Sequence, residues 1–111
     1  MTPDTNIKNL PEGEYFTEIG YSQQYPWVVV GRTPKTATLA KVKVAPDPDW
    51  KPEILPGGFA GHCTNQHDQT WLFDRIDTDN TTTIRLTKRG WSRHGTRFVE
   101  NCAREFYDYN F

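Results

Sequence analysis

Turn-forming residues recur about every 8–12 positions along this 111-residue chain, and only short runs of β-branched and aromatic residues fit between them. Helical periodicity is nearly absent: apolar residues do not repeat at the spacing that would gather them on one face of a helix. The chain is thereby confined to strands and turns. Glu14 to Tyr21 follows a Pro-Glu-Gly turn and reads as a first strand, and the apolar run Pro26 to Gly31 reads as a buried one. Thr33-Pro34-Lys35-Thr36 turns into a strand over Thr36 to Ala45, where Ala37, Leu39, Lys41 and Lys43 alternate with Thr38, Ala40, Val42 and Val44.

Pro46-Asp47-Pro48-Asp49-Trp50-Lys51-Pro52 cannot sit inside a ladder, because proline lacks the N–H and restricts the residue before it. A loop is expected there, continuing through Pro56-Gly57-Gly58. Phe59 to Thr64, Thr70 to Asp77, Thr82 to Lys88 and Thr96 to Val99 read as further strands, with a hairpin turn at Asp77–Asn80 and a loop or bulge at Trp91–His94. The closing Ala103 to Phe111 reads as an edge strand docked on the body.

The resulting expectation is an all-β domain, either a small SH3-like or OB-like barrel or a strongly bent antiparallel meander of six to eight strands, since closure removes exposed strand edges. Residues 10–111 make the single domain, and the polar residues 1–9 read as a flexible tail. Apolar residues are only 35% of the chain, but six Phe, five Tyr and four Trp can each bury enough surface to build a core. No apolar run approaches a membrane span and no signal-peptide pattern opens the chain, so a cytoplasmic protein with reduced Cys63 and Cys102 is expected.

The stretch Gly57 to Trp71 concentrates hydrogen-bonding side chains as a segment that only had to pack would not. His62, Asn65, Gln66, His67 and Gln69 are candidate partner-binding residues, with Trp50, Trp71 or Trp91 as aromatic anchors. The same amides serve equally to tie down a loop backbone. His62 and Cys63 fall on opposite faces of a strand, which argues against a neighbouring Cys-His nucleophile pair; His67 or His94 would have to supply the base. No ligand pair sits at a zinc-finger or zinc-ribbon spacing, no nucleotide or hydrolase motif occurs, and no metal or cofactor is expected.

Net charge is −1, so no global field draws the molecule to nucleic acid or membrane. Residues 80–104 nevertheless hold Arg85, Lys88, Arg89, Arg93, Arg97 and Arg104 against Glu100 alone, interleaved with Trp91, His94 and Phe98. On a barrel that mix suits single-stranded nucleic acid, Arg85, Lys88, Arg89, Arg93 and Arg97 holding phosphates and Trp91 stacking a base. The competing expectation is that Arg85, Arg93 and Arg97 pair across a hairpin with the acidic 68–79 segment, which would consume the charge.

GGFAGHCTNQ at 57–66, RGWSRHGTRF at 89–98, REFYDYNF at 104–111 and Val30-Gly31-Arg32-Thr33-Pro34-Lys35-Thr36 together resemble a loose group of small proteins encoded by bacteriophages and bacterial mobile elements. The likeness spans residues 20–111 and departs at the proline- and aspartate-rich 45–56 segment with its Trp50. It implies a phage accessory protein acting inside a bacterial host cell. The leading expectation is therefore a non-enzymatic binding module that occupies or inhibits a host protein. Single-stranded nucleic-acid binding is the alternative, and a small-molecule binder or enzyme using His62 and Cys63 the third.

Overall fold

The computed structural model describes residues 3–55 and 62–109, with the side chains of Leu55 and His62 outside that description. The glycine-rich part of the polar stretch, residues 57–61, therefore lies outside the described residues. In chain order the strands are β1 (Asp4–Thr5), β2 (Ile7–Lys8), β3 (Tyr15–Ile19), β4 (Gln24–Arg32), β5 (Thr36–Pro46), β6 (Ile54–Leu55), β7 (His62–Cys63), β8 (Trp71–Thr87), β9 (Gly90–Arg93), β10 (Thr96–Glu100) and β11 (Cys102–Ala103). One 3₁₀ turn, Gln66–Asp68, is the helical element among the described residues, and no helix is long and apolar enough to cross a membrane.

The all-β expectation holds. β5 pairs with β4 and β8, β4 with β3, β3 with β10, and β9 bridges β10 back to β8, so six antiparallel strands close into a ring. Phe16, Trp27, Ala37, Leu39, Ile84, Trp91 and Phe98 fill it. The period-two alternation of each strand sends these residues inward from all six strands and leaves their neighbours outside. The Phe16 and Trp91 rings meet edge-on with centroids 5.3 Å apart, a favoured aromatic arrangement. One end of the ring is roofed by Arg32, whose guanidinium lies 5.3 Å from the Trp91 centroid and is tied to Glu14 at 2.6 Å and Glu100 at 3.0 Å.

β5 and β8 run on past the ring, and a second core forms from Ile7, Tyr15, Val28, Ala40, Val42 and Ala103, of which Tyr15, Val28 and Ala40 lie on the outer face of β3, β4 and β5. Within the expected tail, residues 4–8 take part in this structure. Ile7 is 3% exposed, β2 pairs in parallel with β8, and β1 pairs in parallel with β11. One apolar residue suffices because its polar neighbour supplies the ties: Asn6 Nδ2 donates to Gln69 O at 3.1 Å and Glu105 O at 2.7 Å, and Asn6 Oδ1 accepts from Glu105 N at 3.1 Å.

Three further local expectations change. Asp77–Asn80 does not reverse the chain; β8 continues through it. The partner register steps from Ala40↔Thr81 to Lys41↔Asp77, so residues 78–80 bulge outward against an uninterrupted β5. Asp77 Oδ1 accepts the Asp79 N–H at 3.2 Å, so the Asx chemistry is present but bends a strand whose partner is already in place. Trp91–Arg93 is strand rather than loop, and the reversal lies one step later: His94 (φ 49°) and Gly95 (φ 82°) supply the paired left-handed conformations of a tight hairpin. The C-terminal segment forms the two-residue β11 and one further bridge, Phe106 to Gln24, rather than a full edge strand.

Candidate functional site

The amides of the polar stretch point into the protein. Asn65 Nδ2 donates to Lys51 O at 2.8 Å, and its Oδ1 accepts from Glu53 N at 2.8 Å and from the Cys63 thiol at 3.4 Å. Gln66 Oε1 accepts from Tyr109 N at 3.0 Å. Gln69 is 2% exposed; its Nε2 donates to Tyr107 O while its Oε1 accepts from Tyr107 N at 3.0 Å and Trp71 Nε1 at 3.2 Å. These three side chains hold the proline-rich loop and the C-terminal segment against the body. Such a residue set is expected where irregular backbone must be satisfied without a ladder.

The other members of that candidate set divide. His67 is exposed and lies nearly parallel to the Phe106 ring, 5.7 Å away. Trp50 is half-buried against Tyr109, with ring centroids 5.6 Å apart. Its Nε1 is buried and has no hydrogen-bond partner among the described residues. Trp71 is half-buried on the second core. Trp91 is 7% exposed inside the ring, so it offers no face for a base to stack on. Cys63 is buried, and its thiol donates to Asn65 Oδ1. Asp47, its carboxylate 1% exposed, anchors the proline-rich loop: it accepts from Lys8 Nζ at 2.7 Å, Thr70 Oγ1 at 2.7 Å and Asp49 N at 2.9 Å. The Lys8 hydrogen bond first, then Thr70 and the Asp49 amide, hold its carboxyl down at about 2.

The basic block is arranged differently. Arg85 and Arg97 both pair in register with Ser92, so the three form one row across β8, β9 and β10. They alternate with the buried Ile84, Trp91 and Phe98 and therefore face outward. Thr83, Arg85, Thr87, Ser92, Arg93 and His94 line a shallow hollow of about 310 Å³ on this face. Lys88 and Arg89 stand on the adjoining β8–β9 turn.

Four cations form ion pairs among the described residues, and Lys35, Lys41, Lys43 and Lys51, outside this face, form none. Lys8, Arg32, Arg75 and Arg104 each form an ion pair. Arg85, Lys88, Arg89, Arg93 and Arg97 form none among the described residues. The expected cross-hairpin pairing with 68–79 does not arise, because residues 71–77 lie upstream on the same strand, β8, alongside the far end of β5. What sequence reasoning missed is the hydroxyl set between the cations, Thr83, Thr87 and Ser92, whose common signal is strand parity with Arg85 and Arg97.

At the end of the ring opposite Arg32, Glu18 Oε1 accepts the indole N–H of Trp27 at 2.9 Å, and Arg93 donates to Thr82 Oγ1. Lys41 Nζ lies 4.6 Å from the Tyr25 ring centroid and 5.3 Å from that of Trp27. Burial pulls the Lys41 amine below its ordinary value, against the opposing pull of Glu105 and Glu18. Burial likewise pushes the Glu105 carboxyl up to about 7, with Lys41 and Lys43 opposing. No group of three His, Cys, Asp or Glu side chains among the described residues is placed to hold a metal ion. Comparison of the chain with protein-family models, curated proteins and solved structures finds no match.

Proposed function

We propose that this chain is a non-enzymatic binding domain whose ligand is nucleic acid, held by its phosphates on the β8–β9–β10 face. The observation that carries this reading is the row Arg85–Ser92–Arg97, flanked by Lys88, Arg89 and Arg93, with no ion pair on any of the five cations among the described residues. Outward cations with the Ser92 hydroxyl between Arg85 and Arg97 match the side chains that contact phosphate oxygens. With a net charge of only −1, the attraction is confined to this patch. Trp91 does not serve as the stacking ring expected of it, and the contact rests on phosphates instead. In the bacteriophage setting that the resemblance implies, the ligand would be met inside a bacterial cell.

Titration of a fluorescein-labelled oligonucleotide at several salt concentrations tests this reading. Affinity should fall steeply as salt rises, because each neutralised phosphate releases counterions. A flat salt dependence, or no binding at low salt, overturns it.

A second observation favours a protein partner. Tyr21 is 99% exposed, at the lip of a hollow of about 300 Å³ that also includes His67, Arg104 and Phe106. Aromatic and Arg side chains anchor protein interfaces. On this reading the partner is a host protein, and Tyr21→Ala should abolish its capture from bacterial lysate while leaving the fold intact. Capture unchanged by Tyr21→Ala removes that surface from consideration.

A further inference from the structure

We infer that the open end of the ring accepts one unpaired nucleobase of the bound strand, and that guanine fits it best; this rests on the nucleic-acid reading above. A hollow of about 230 Å³ opens there, lined among others by Glu18, Trp27, Asn80, Thr82, Arg93 and Phe98. Its apolar side is the exposed margin of Trp27 and Phe98, at 8% and 5% exposure, which offers a ring an edge contact and not a stacking face, and the rest is polar. Such a site has an apolar surface for a ring and a few convergent polar groups to orient it.

The hollow is continuous with the phosphate-binding face. Arg93 and His94 line both it and the hollow containing Thr83, Arg85 and Ser92. A strand whose phosphates lie along Arg85 and Ser92 can therefore turn a base inward past Arg93. A base pair is too large to enter, so the ligand must be single-stranded at this point.

Hydrogen-bonding chemistry selects the base. Glu18 Oε1 is engaged by Trp27 Nε1, while Oε2 takes no hydrogen bond among the described residues. Trp27 also holds the carboxylate in place. Arg93 uses one N–H on Thr82 and forms no ion pair, so its remaining donors can turn to the hollow. Guanine alone offers two adjacent donors, N1–H and N2–H, to a carboxylate and two acceptors, O6 and N7, to a guanidinium. Cytosine and adenine offer one amino group, and thymine places carbonyl oxygens against the carboxylate.

Fluorescence anisotropy with labelled oligothymidylates carrying one central dG, dC, dA or dT tests the inference, alongside calorimetric titration with guanosine monophosphate alone. The dG oligonucleotide should bind about tenfold more tightly than the other three. Glu18→Gln keeps an acceptor for Trp27, and should remove that preference, bringing the dG oligonucleotide to the affinity of the other three. Arg85→Ala with Arg97→Ala should weaken all four oligonucleotides and preserve their ratio. Equal affinity of the wild type for all four overturns the base site and leaves the phosphate reading standing. Binding of the mononucleotide without any oligonucleotide keeps the base site and overturns the phosphate reading. No binding of either probe overturns both. Should the Glu18 variant unfold, the wild-type ratio decides alone.

Discussion

Gln69 and Tyr107 are joined by a reciprocal pair of hydrogen bonds: the buried side-chain amide donates to the Tyr107 carbonyl and accepts from the Tyr107 N–H at 3.0 Å. A side chain here does what a neighbouring strand would otherwise do, satisfying both backbone groups of a residue outside the ladder. The most polar part of the chain is thereby a fastening for the C-terminal segment.

That fastening predicts an asymmetric cost. Gln69→Ala leaves the Tyr107 N–H and carbonyl and the Trp71 indole N–H without partners, and should cost about 2–4 kcal/mol in urea unfolding. Gln66→Ala removes one acceptor from the exposed Tyr109 N–H and should cost under about 1 kcal/mol. Equal costs would show that the Gln69 network adds nothing to stability.

Residues 4–8 are structural. Ile7→Ala removes a side chain 3% exposed in the second core, and should cost about 2–4 kcal/mol. A solvated tail would show a change within about 0.5 kcal/mol, so thermal or urea unfolding of this one variant separates the two states.

Glu105 makes stability depend on pH. Burial raises its folded-state value from 4.5 to about 7, so folding favours the protonated form. Its contribution is fully present below about pH 4.5 and is lost as pH rises through about 7. Glu105→Gln mimics the protonated form and should stabilise the protein at pH 8 by roughly 2 kcal/mol, after allowing for partial solvent screening, and little at pH 4. A stability difference that does not change between those pH values would place the carboxylate in water.

Arg85→Ala with Arg97→Ala removes two outward cations that form no ion pair among the described residues. Stability should change by less than about 1 kcal/mol in total, whereas the slope of log affinity against log salt should fall by about two. An unchanged slope would move the phosphate contacts off this row.

Some of this was readable directly. The alternation over 36–45 marked both faces of β5, because a period of two leaves a one-dimensional trace that no tertiary contact can alter. The excess of cations over 80–104 was equally plain in the sequence. Their isolation from acidic partners was not, since it depends on β8 passing straight through Asp77–Asn80 rather than folding back. The Asn and Gln side chains of 65–69 advertised hydrogen bonding without saying with what, because an amide that reads a ligand and one that holds a backbone look alike in sequence. Glu18 carried no local signal at all; it gains a place at the ring mouth only through its bond to Trp27, nine residues on.

By itself the sequence determined the all-β class, the single domain and the faces of its long strands, because turn chemistry and side-chain alternation act over a few neighbouring residues. Tertiary structure alone decided that the strands close into a ring, that Trp91 turns inside while Arg85 and Arg97 stay out, and that Asn6 and Gln69 hold the segments around β2 and residues 105–107. Those outcomes depend on pairings between residues as many as 99 positions apart, and the free energy of such contacts is set by where the backbone has already brought them.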